Sequence, residues 1–197
     1  MSKRDEAMLE IEKDLVKLKG ALARERRSNG VLPVIGEGSH KAKILFVGEA
    51  PGKKEALTGK PFCGASGKFL DILLDSISLK RKDTYITSIV KDRPTDNRDP
   101  KEEEIREYAP LMDRQMEVIR PKVIVTLGRI SMAYILNKFE LADKLQPISK
   151  IHGEVFRAKA PWGNISIVPL YHPAVALYNG GNRSTLIKDF KVLKGMI

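Results

Sequence analysis

From residue 43 onward, short apolar runs alternate with amphipathic segments, and this alternation limits the fold more than any other feature of the chain. The runs have strand length and lie at 43–47, 84–90, 123–127 and 165–170, with a weaker one at 154–158. Helical periodicity fills most of the sequence between them. Strands separated by helices favour a parallel sheet that is covered on both faces. The sequence therefore predicts a three-layer α/β/α fold around a mainly parallel sheet.

The helices are predicted from periodicity and from capping signals. Apolar residues recur at helical spacing among charges over residues 4–27, which predicts one amphipathic helix. Asp99 and Pro100 predict the start of a later helix, and Pro110 is expected to bend or divide it. Further helices are predicted over 66–79, from Gly128 to about 138 and over 183–194.

Size, charge and cysteine content restrict the class of protein. The 197 residues suit one compact domain, in which residues 1–30 contribute the amphipathic helix and residues 31–197 the α/β unit. Lys and Arg number 35 against 25 Asp and Glu, so the net charge is +10. This excess suits a polyanion such as nucleic acid, or simply a solvated basic surface. The single cysteine excludes an internal disulfide and a cysteine-rich metal site. Without an apolar run of membrane-spanning length or a signal peptide, we expect a cytoplasmic monomer.

The loop after the first apolar run is rich in glycine and proline and reads GEAPGKKEALTGKPFCG over residues 48–64. Glu49 lies where the first strand ends, which is the edge at which open α/β sheets bind ligands. The loop is not a Walker A motif, and no Gly-x-Gly-x-x-Gly opens the following helix. The carboxylate, the tight turns and Phe62 instead suggest a pocket for a flat, uncharged ring.

Two ordered motifs resemble those of family 4 uracil-DNA glycosylases. The first is the loop at 48–64, and the second is Pro-Leu-Tyr-His-Pro-Ala at 169–174. Between them, the segments at 89–94, 97–98 and 121–128 follow the family pattern in the same order. The resemblance implies a four-stranded parallel sheet between helices. It also implies that a base is flipped out of DNA and its N-glycosidic bond hydrolysed, leaving an abasic site without metal or cofactor.

The same resemblance implies roles for individual residues. Phe62 would stack on the base, and His172 would stabilise the departing base by a hydrogen bond. Glu49 is the first candidate for the carboxylate that orients water, and Glu55 is the second. The base would also contact Gly48, Ala50, Pro51, Gly52 and Ser88. Each residue has a structural alternative, because Phe62 and His172 would also suit a core and Glu49 would also cap a loop amide.

The segment after the second motif, residues 174–183, is predicted to be a loop that wedges into DNA. Leu177 or Tyr178 would fill the gap that the flipped base leaves, while Arg183 and Lys188 would meet phosphates. The alternative is a loop whose Leu177 packs on the domain. His40 and His152 have no motif around them and are expected at the surface.

The chain departs from the family at two places. Family 4 enzymes hold a [4Fe–4S] cluster on four cysteines, and the corresponding positions here include Asp92 and a position near Tyr108, so this cluster cannot form. The family's base-reading Asn is replaced by Ser88, whose hydroxyl makes fewer contacts than an amide. Three hypotheses follow: a uracil-DNA glycosylase, a glycosylase for another deaminated base such as hypoxanthine or xanthine, or a catalytically silent nucleic-acid-binding homologue.

Overall fold

The computed structural model describes residues 1–178 and 180–196, and a single mixed sheet forms its centre. Its order is β1-β3-β2-β4-β6-β5. The strands are β1 (Glu37–Gly38), β2 (Ile44–Gly48), β3 (Tyr85–Ser88), β4 (Val123–Leu127), β5 (Phe156–Ala160) and β6 (Gly163–Leu170). The four central strands are parallel, as the resemblance implied, but β1 and β5 pair antiparallel at the two edges. Within the described residues the sheet therefore has six strands rather than the expected four.

The parallel strands all end at the same edge of the sheet. β2 and β3 stop in register at Gly48 and Ser88, and β4 and β6 stop in register at Leu127 and Leu170. The glycine-rich loop follows β2, and the second motif follows β6. Motifs that lie more than a hundred residues apart in the sequence are thus brought to one edge.

Helices connect the strands and cover both faces of the sheet. They are α1 (Lys3–Lys17), α2 (Ala21–Ser28), α3 (Lys53–Thr58), α4 (Ala65–Ser76), α5 (Glu102–Ile119), α6 (Arg129–Lys138), α7 (Ile148–Ile151), α8 (Val175–Tyr178) and α9 (Gly180–Phe190). None of the described helices is both long and apolar enough to cross a membrane.

Two apolar clusters lie on opposite faces of the sheet, as the three-layer prediction requires. Leu45 and Val47 of β2 join one cluster with residues of α1, α5 and α6. Ile44 and Phe46 join the other with residues of α4 and α9. This alternation along one buried strand confirms the α/β/α arrangement.

The single N-terminal helix predicted over 4–27 is wrong, because two helices cover this segment. Residues 18–20 separate the two helices, and the N–H of Gly20, just before α2, donates to Oε1 of Glu107 at 2.7 Å. A Cβ atom at Gly20 would lie 1.6 Å from the Glu107 carboxylate, so a larger residue would displace that side chain. The break is therefore accompanied by a contact from α5 that lies far away in the sequence.

The predicted start of α5 is also wrong, and Pro110 does not divide the helix. The helix begins at Glu102 rather than after Asp99, and it continues through Pro110 to Ile119 without a break. Asp99 instead forms an ion pair with Arg129 of α6. The carboxylate that supports the first turn belongs to Glu104, which accepts from the Lys101 amide at 2.8 Å.

Candidate active site

A pocket of about 420 Å³ opens at the edge where the parallel strands end. Its volume is within the range of small-molecule sites. Most residues that the sequence predicted for the site line it, namely Glu49, Ala50, Pro51, Gly52, Glu55, Phe62, Ser88, His172 and Tyr178. Gly48 lies directly behind, because a Cβ there would come within 2.9 Å of the Phe62 ring and 3.1 Å of Ser88 Oγ. The ring of Phe62 and the end of β3 therefore meet at the pocket floor.

Glu49 lies at the N-terminus of α6, where its carboxylate accepts a hydrogen bond from the Ile130 amide. Burial raises the pKa of Glu49 above its ordinary value, and the negative charge of Asp99 acts in the same direction. The cation of Arg129 and the Ile130 amide oppose this shift. A partly buried carboxylate with a raised pKa is a stronger base than an ordinary glutamate, which suits a general base.

Gly128 lets Glu49 and His172 approach the same point. Its φ is +107°, a value that favours glycine, and a Cβ there would lie 3.3 Å from Glu49 Oε2 and 3.5 Å from His172 Cβ. A larger residue would be strained at this φ, and its Cβ would be tight against the Glu49 carboxylate and in contact with His172. The carboxylate and the imidazole therefore flank one backbone position.

His172 is held as a neutral imidazole with its proton on Nε2. The Ala174 amide donates to Nδ1 at 3.2 Å, so Nδ1 is the acceptor nitrogen. Burial lowers the pKa of His172 to about 4, while the carboxylate of Glu55 acts weakly in the opposite direction. The ring also stacks on Phe62, with centroids 5.5 Å apart and an interplanar angle of 29°. His172 can thus offer a neutral N–H donor beside an aromatic ring.

Glu55 makes different contacts from Glu49, although the sequence predicted both as catalytic carboxylates. Its Oε1 accepts from the amides of Cys63 and Gly64, each at 3.0 Å. The side chain is nearly buried. The carboxylate of Glu55 therefore fixes the backbone beside Phe62, and this oxygen is already occupied.

Ser88 ends β3 and is held from behind by a buried lysine. Nζ of Lys91 donates to the Ser88 carbonyl and, at 2.7 Å, to Oγ1 of Thr87. Burial holds the pKa of Lys91 well below its ordinary value. These bonds fix the strand end that carries the Ser88 hydroxyl.

Sequence reasoning missed several pocket residues, which come from the loop after β3 and from neighbouring turns. They are Val34, Pro61, Ser66, Pro94, Asn97, Arg98 and Ala174. Arg98 forms a two-bond ion pair with the buried Glu104, at 2.8 and 2.6 Å. The segment 97–98 fitted the family order, which was the available signal, but nothing in its composition placed it in the pocket.

The predicted DNA wedge is not a loop. Residues 175–178 form α8, and α9 begins at Gly180, while Asn179 lies outside the described residues. Leu177 and Tyr178 are exposed, with Tyr178 at 88 %. Arg183 lies over the Phe69 ring, 5.1 Å from its centroid, and Lys188 is exposed on α9. Neither of these two cations lines the pocket.

The histidines without a motif are not free surface residues either. Both are half-buried and paired with carboxylates, His40 with Asp5 and His152 with Asp189, each at 2.7 Å. Both were expected at the surface, and both are partly exposed there, each with a carboxylate partner. Neither lines the pocket at the strand ends.

The profile of the Uracil DNA glycosylase superfamily matches residues 35–192, which include every element that forms the pocket. The chain belongs to the uracil-DNA glycosylase superfamily. Among its relatives is the type-4 uracil-DNA glycosylase of Saccharolobus solfataricus, 46% identical over 82% of this chain and 74% of the relative. The type-4 enzyme of Sulfurisphaera tokodaii is 42% identical over 96% of this chain and 84% of the relative. That of Archaeoglobus fulgidus is 46% identical over 80% and 78%, respectively.

The positions that would carry the cluster of family 4 uracil-DNA glycosylases hold a buried polar network instead. Asp92 accepts from Arg26 Nη1 at 3.1 and 3.0 Å and from the Tyr108 hydroxyl at 2.6 Å. A guanidinium cannot ligate iron, and no thiolate is available there, so these residues do not fit an iron–sulfur cluster. Among the described residues, no three His, Cys, Asp or Glu are grouped so as to hold a metal ion. Arg26 also donates to the Val16 carbonyl at 3.0 Å, so the network ties α1 and α2 to the domain.

Proposed function

We propose that this protein is a DNA glycosylase that excises uracil and leaves an abasic site. The observation that carries the proposal is the meeting of three groups in one pocket: the Phe62 ring, the neutral His172 and the carboxylate of Glu49. The reaction needs an aromatic ring that stacks on the flat base, a hydrogen-bond donor that stabilises the negative charge on the departing base, and a carboxylate that orients the attacking water. The basic chain, at net +10, suits a DNA substrate.

The reaction follows from this placement. The flipped base stacks on Phe62, and its N-glycosidic bond breaks with the electron pair passing to the base nitrogen. The Nε2–H of His172 donates to a base oxygen and stabilises the anion, without a proton having to leave a charged imidazole. Ionised Glu49 orients a water toward the sugar carbon and accepts its proton as the new C–O bond forms. The base anion then takes up a proton from solvent and Glu49 releases its proton to solvent, so the products are a free base and an abasic sugar.

Ser88 supports a second candidate, a glycosylase for hypoxanthine or xanthine. The serine side chain at the pocket floor offers one hydroxyl, whereas the asparagine of the family offers both an NH₂ donor and a carbonyl acceptor. A shorter side chain also leaves more room opposite Phe62. The residues assigned to the DNA, Leu177, Tyr178, Arg183 and Lys188, remain proposals, as do a monomeric state and action in the cytoplasm.

The test is base release from oligonucleotides that carry one uracil, hypoxanthine or xanthine, in single and double strands. We expect uracil release by the wild type and a loss of about a hundredfold or more in Glu49→Gln. Glu102→Gln, on an exposed glutamate of α5, is the matched control and should not change the rate. Release of no base at all, with normal salt-sensitive DNA binding, would mean that the protein is a silent binding homologue.

A further inference from the structure

Phe62 has a backbone conformation that a non-glycine residue rarely adopts. Its φ is +47°, although its ring is almost buried at 8 % exposure. Such a conformation is strained and persists only where neighbouring groups hold it. The conformation matters here because it turns the ring under the pocket, against His172 and behind Gly48.

Arg81 holds this segment from the side opposite the pocket. It lies in the turn before β3, and its Nη2 donates to the carbonyls of Pro61 at 2.5 Å and Phe62 at 3.3 Å. Its Nη1 is oriented by the Asp71 carboxylate of α4 at 2.9 Å. Arg81 does not line the pocket, so it can act on the base only through the segment that it holds, which carries Pro61 and Phe62.

The segment is fixed from two directions. Arg81 binds its carbonyls, while Glu55 binds the amides of Cys63 and Gly64. Gly67 allows the chain to close, because a Cβ there would lie 1.7 Å from the Phe62 carbonyl oxygen. The planar fork of a guanidinium can reach two carbonyls and a carboxylate at once, and an ammonium group cannot reproduce that geometry.

We propose that Arg81 is a positioning residue for base excision, which keeps the Phe62 ring preformed as the platform for the flipped base. This inference rests on the proposed function, since the platform matters only if a base enters the pocket. A preformed platform spares the enzyme from ordering the ring when the base arrives. Loss of Arg81 lets residues 61–64 relax toward a less strained backbone and moves the ring away from the base.

The experiment compares Arg81→Met with Lys82→Met, which removes the same charge from the neighbouring exposed position. We expect Arg81→Met to lower kcat/KM for uracil release by about ten- to a hundredfold. Inhibition by free uracil should weaken, while binding to undamaged DNA should match that of Lys82→Met. Arg81→Lys should recover only part of the loss, because charge alone does not restore the fork. Equal effects of Arg81→Met and Lys82→Met would overturn the proposal.

A double-mutant cycle with Phe62→Leu tests whether Arg81 acts through the ring. We expect Arg81→Met to cost little once Phe62→Leu is present, and an equal loss in both backgrounds would refute the proposed route. Asp71→Asn keeps the guanidinium of Arg81 but removes the carboxylate that orients it, so we expect a smaller loss of kcat/KM than in Arg81→Met. This variant replaces Arg81→Met in the experiment if Arg81→Met does not fold.

Hydrogen exchange provides a readout that does not depend on activity. The amides of Cys63 and Gly64 should exchange faster in Arg81→Met than in the wild type, and their exchange should be unchanged in Lys82→Met. If the wild type releases no uracil but this exchange pattern is found, the proposed function fails while Arg81 still holds the segment. If exchange is unchanged, Arg81 does not hold it, whatever the activity.

Discussion

Asp92→Asn removes the carboxylate that pairs with the guanidinium of Arg26 in the buried network. Asp92 and Arg26 are 1 % and 5 % exposed, and the other bonds of Arg26 go to the carbonyls of Leu15 and Val16 at 3.5 and 3.0 Å. Carbonyl oxygens satisfy part of the hydrogen-bonding capacity of the cation but carry no opposite charge. Breaking a buried pair in this way costs about 3–5 kcal/mol. In a chain of this length, 1 kcal/mol moves Tm by about 2–4 °C, so we expect a fall of roughly 6–20 °C.

The assay is thermal and denaturant unfolding of Asp92→Asn beside Glu10→Gln. Glu10 pairs with Lys13 at 2.7 Å on the exposed face of α1, and such a pair contributes at most about 1 kcal/mol. A variant that replaces Arg26, Asp92 and Tyr108 together by Met, Leu and Phe should recover most of the stability, because no uncompensated charge remains. A Tm for Asp92→Asn within the range of Glu10→Gln would refute the reasoning.

Two further predictions concern the pocket. Asp99→Asn removes a negative charge that raises the pKa of Glu49, and it frees Arg129 to lower that pKa further. Because Glu49 acts as a base in its ionised form, the acidic limb of the profile of kcat/KM against pH should move to lower pH. An unmoved limb would mean that this limb does not report the ionisation of Glu49. Ser88→Asn restores an amide beside the base and should raise uracil release relative to hypoxanthine release in the oligonucleotide assay; an unchanged ratio would mean that residue 88 does not select the base.

The sequence predicted the parallel centre of the sheet well because its signals are local. The run at 123–127 coincides with β4, and the run at 43–47 differs from β2 by one residue at each end. Buried strands of Val, Ile and Leu need no distant information to be recognised. The weak edge strand β1, of two residues, has no such pattern and exists only because it pairs with β3.

The errors in the helices share one physical cause, which is a distant side chain that overrides a local signal. Gly20 lies between α1 and α2, and its backbone N–H donates to the distant carboxylate of Glu107. Asp99 is a residue type that favours the N-cap position of a helix, but here it forms an ion pair with Arg129 instead. Neither partner lies near its target in the sequence, so propensity alone gives the wrong boundary.

The pocket was predictable where it comes from motifs and not where it depends on loop conformation. Asp96 and Asn97 have φ values of +55° and +54°, and this double left-handed turn belongs to the loop that places Pro94, Asn97 and Arg98 in the pocket wall. Asn and Asp tolerate such values, but they do not require them. The sequence therefore permitted this wall without specifying it.

The two glutamates of the first motif are the same residue type but make different contacts in the structure. Glu49 receives one backbone amide at the start of α6 and faces His172 across Gly128. Oε1 of Glu55 accepts from two backbone amides of the segment that follows Phe62, although Glu55 also lines the pocket. An oxygen that already accepts two backbone hydrogen bonds is less available to a water, whereas burial raises the pKa of Glu49. We therefore expect Glu49 to orient the water and Glu55 to hold the segment that carries the Phe62 ring. The loss of uracil release in Glu55→Gln should then resemble that in Arg81→Met rather than that in Glu49→Gln.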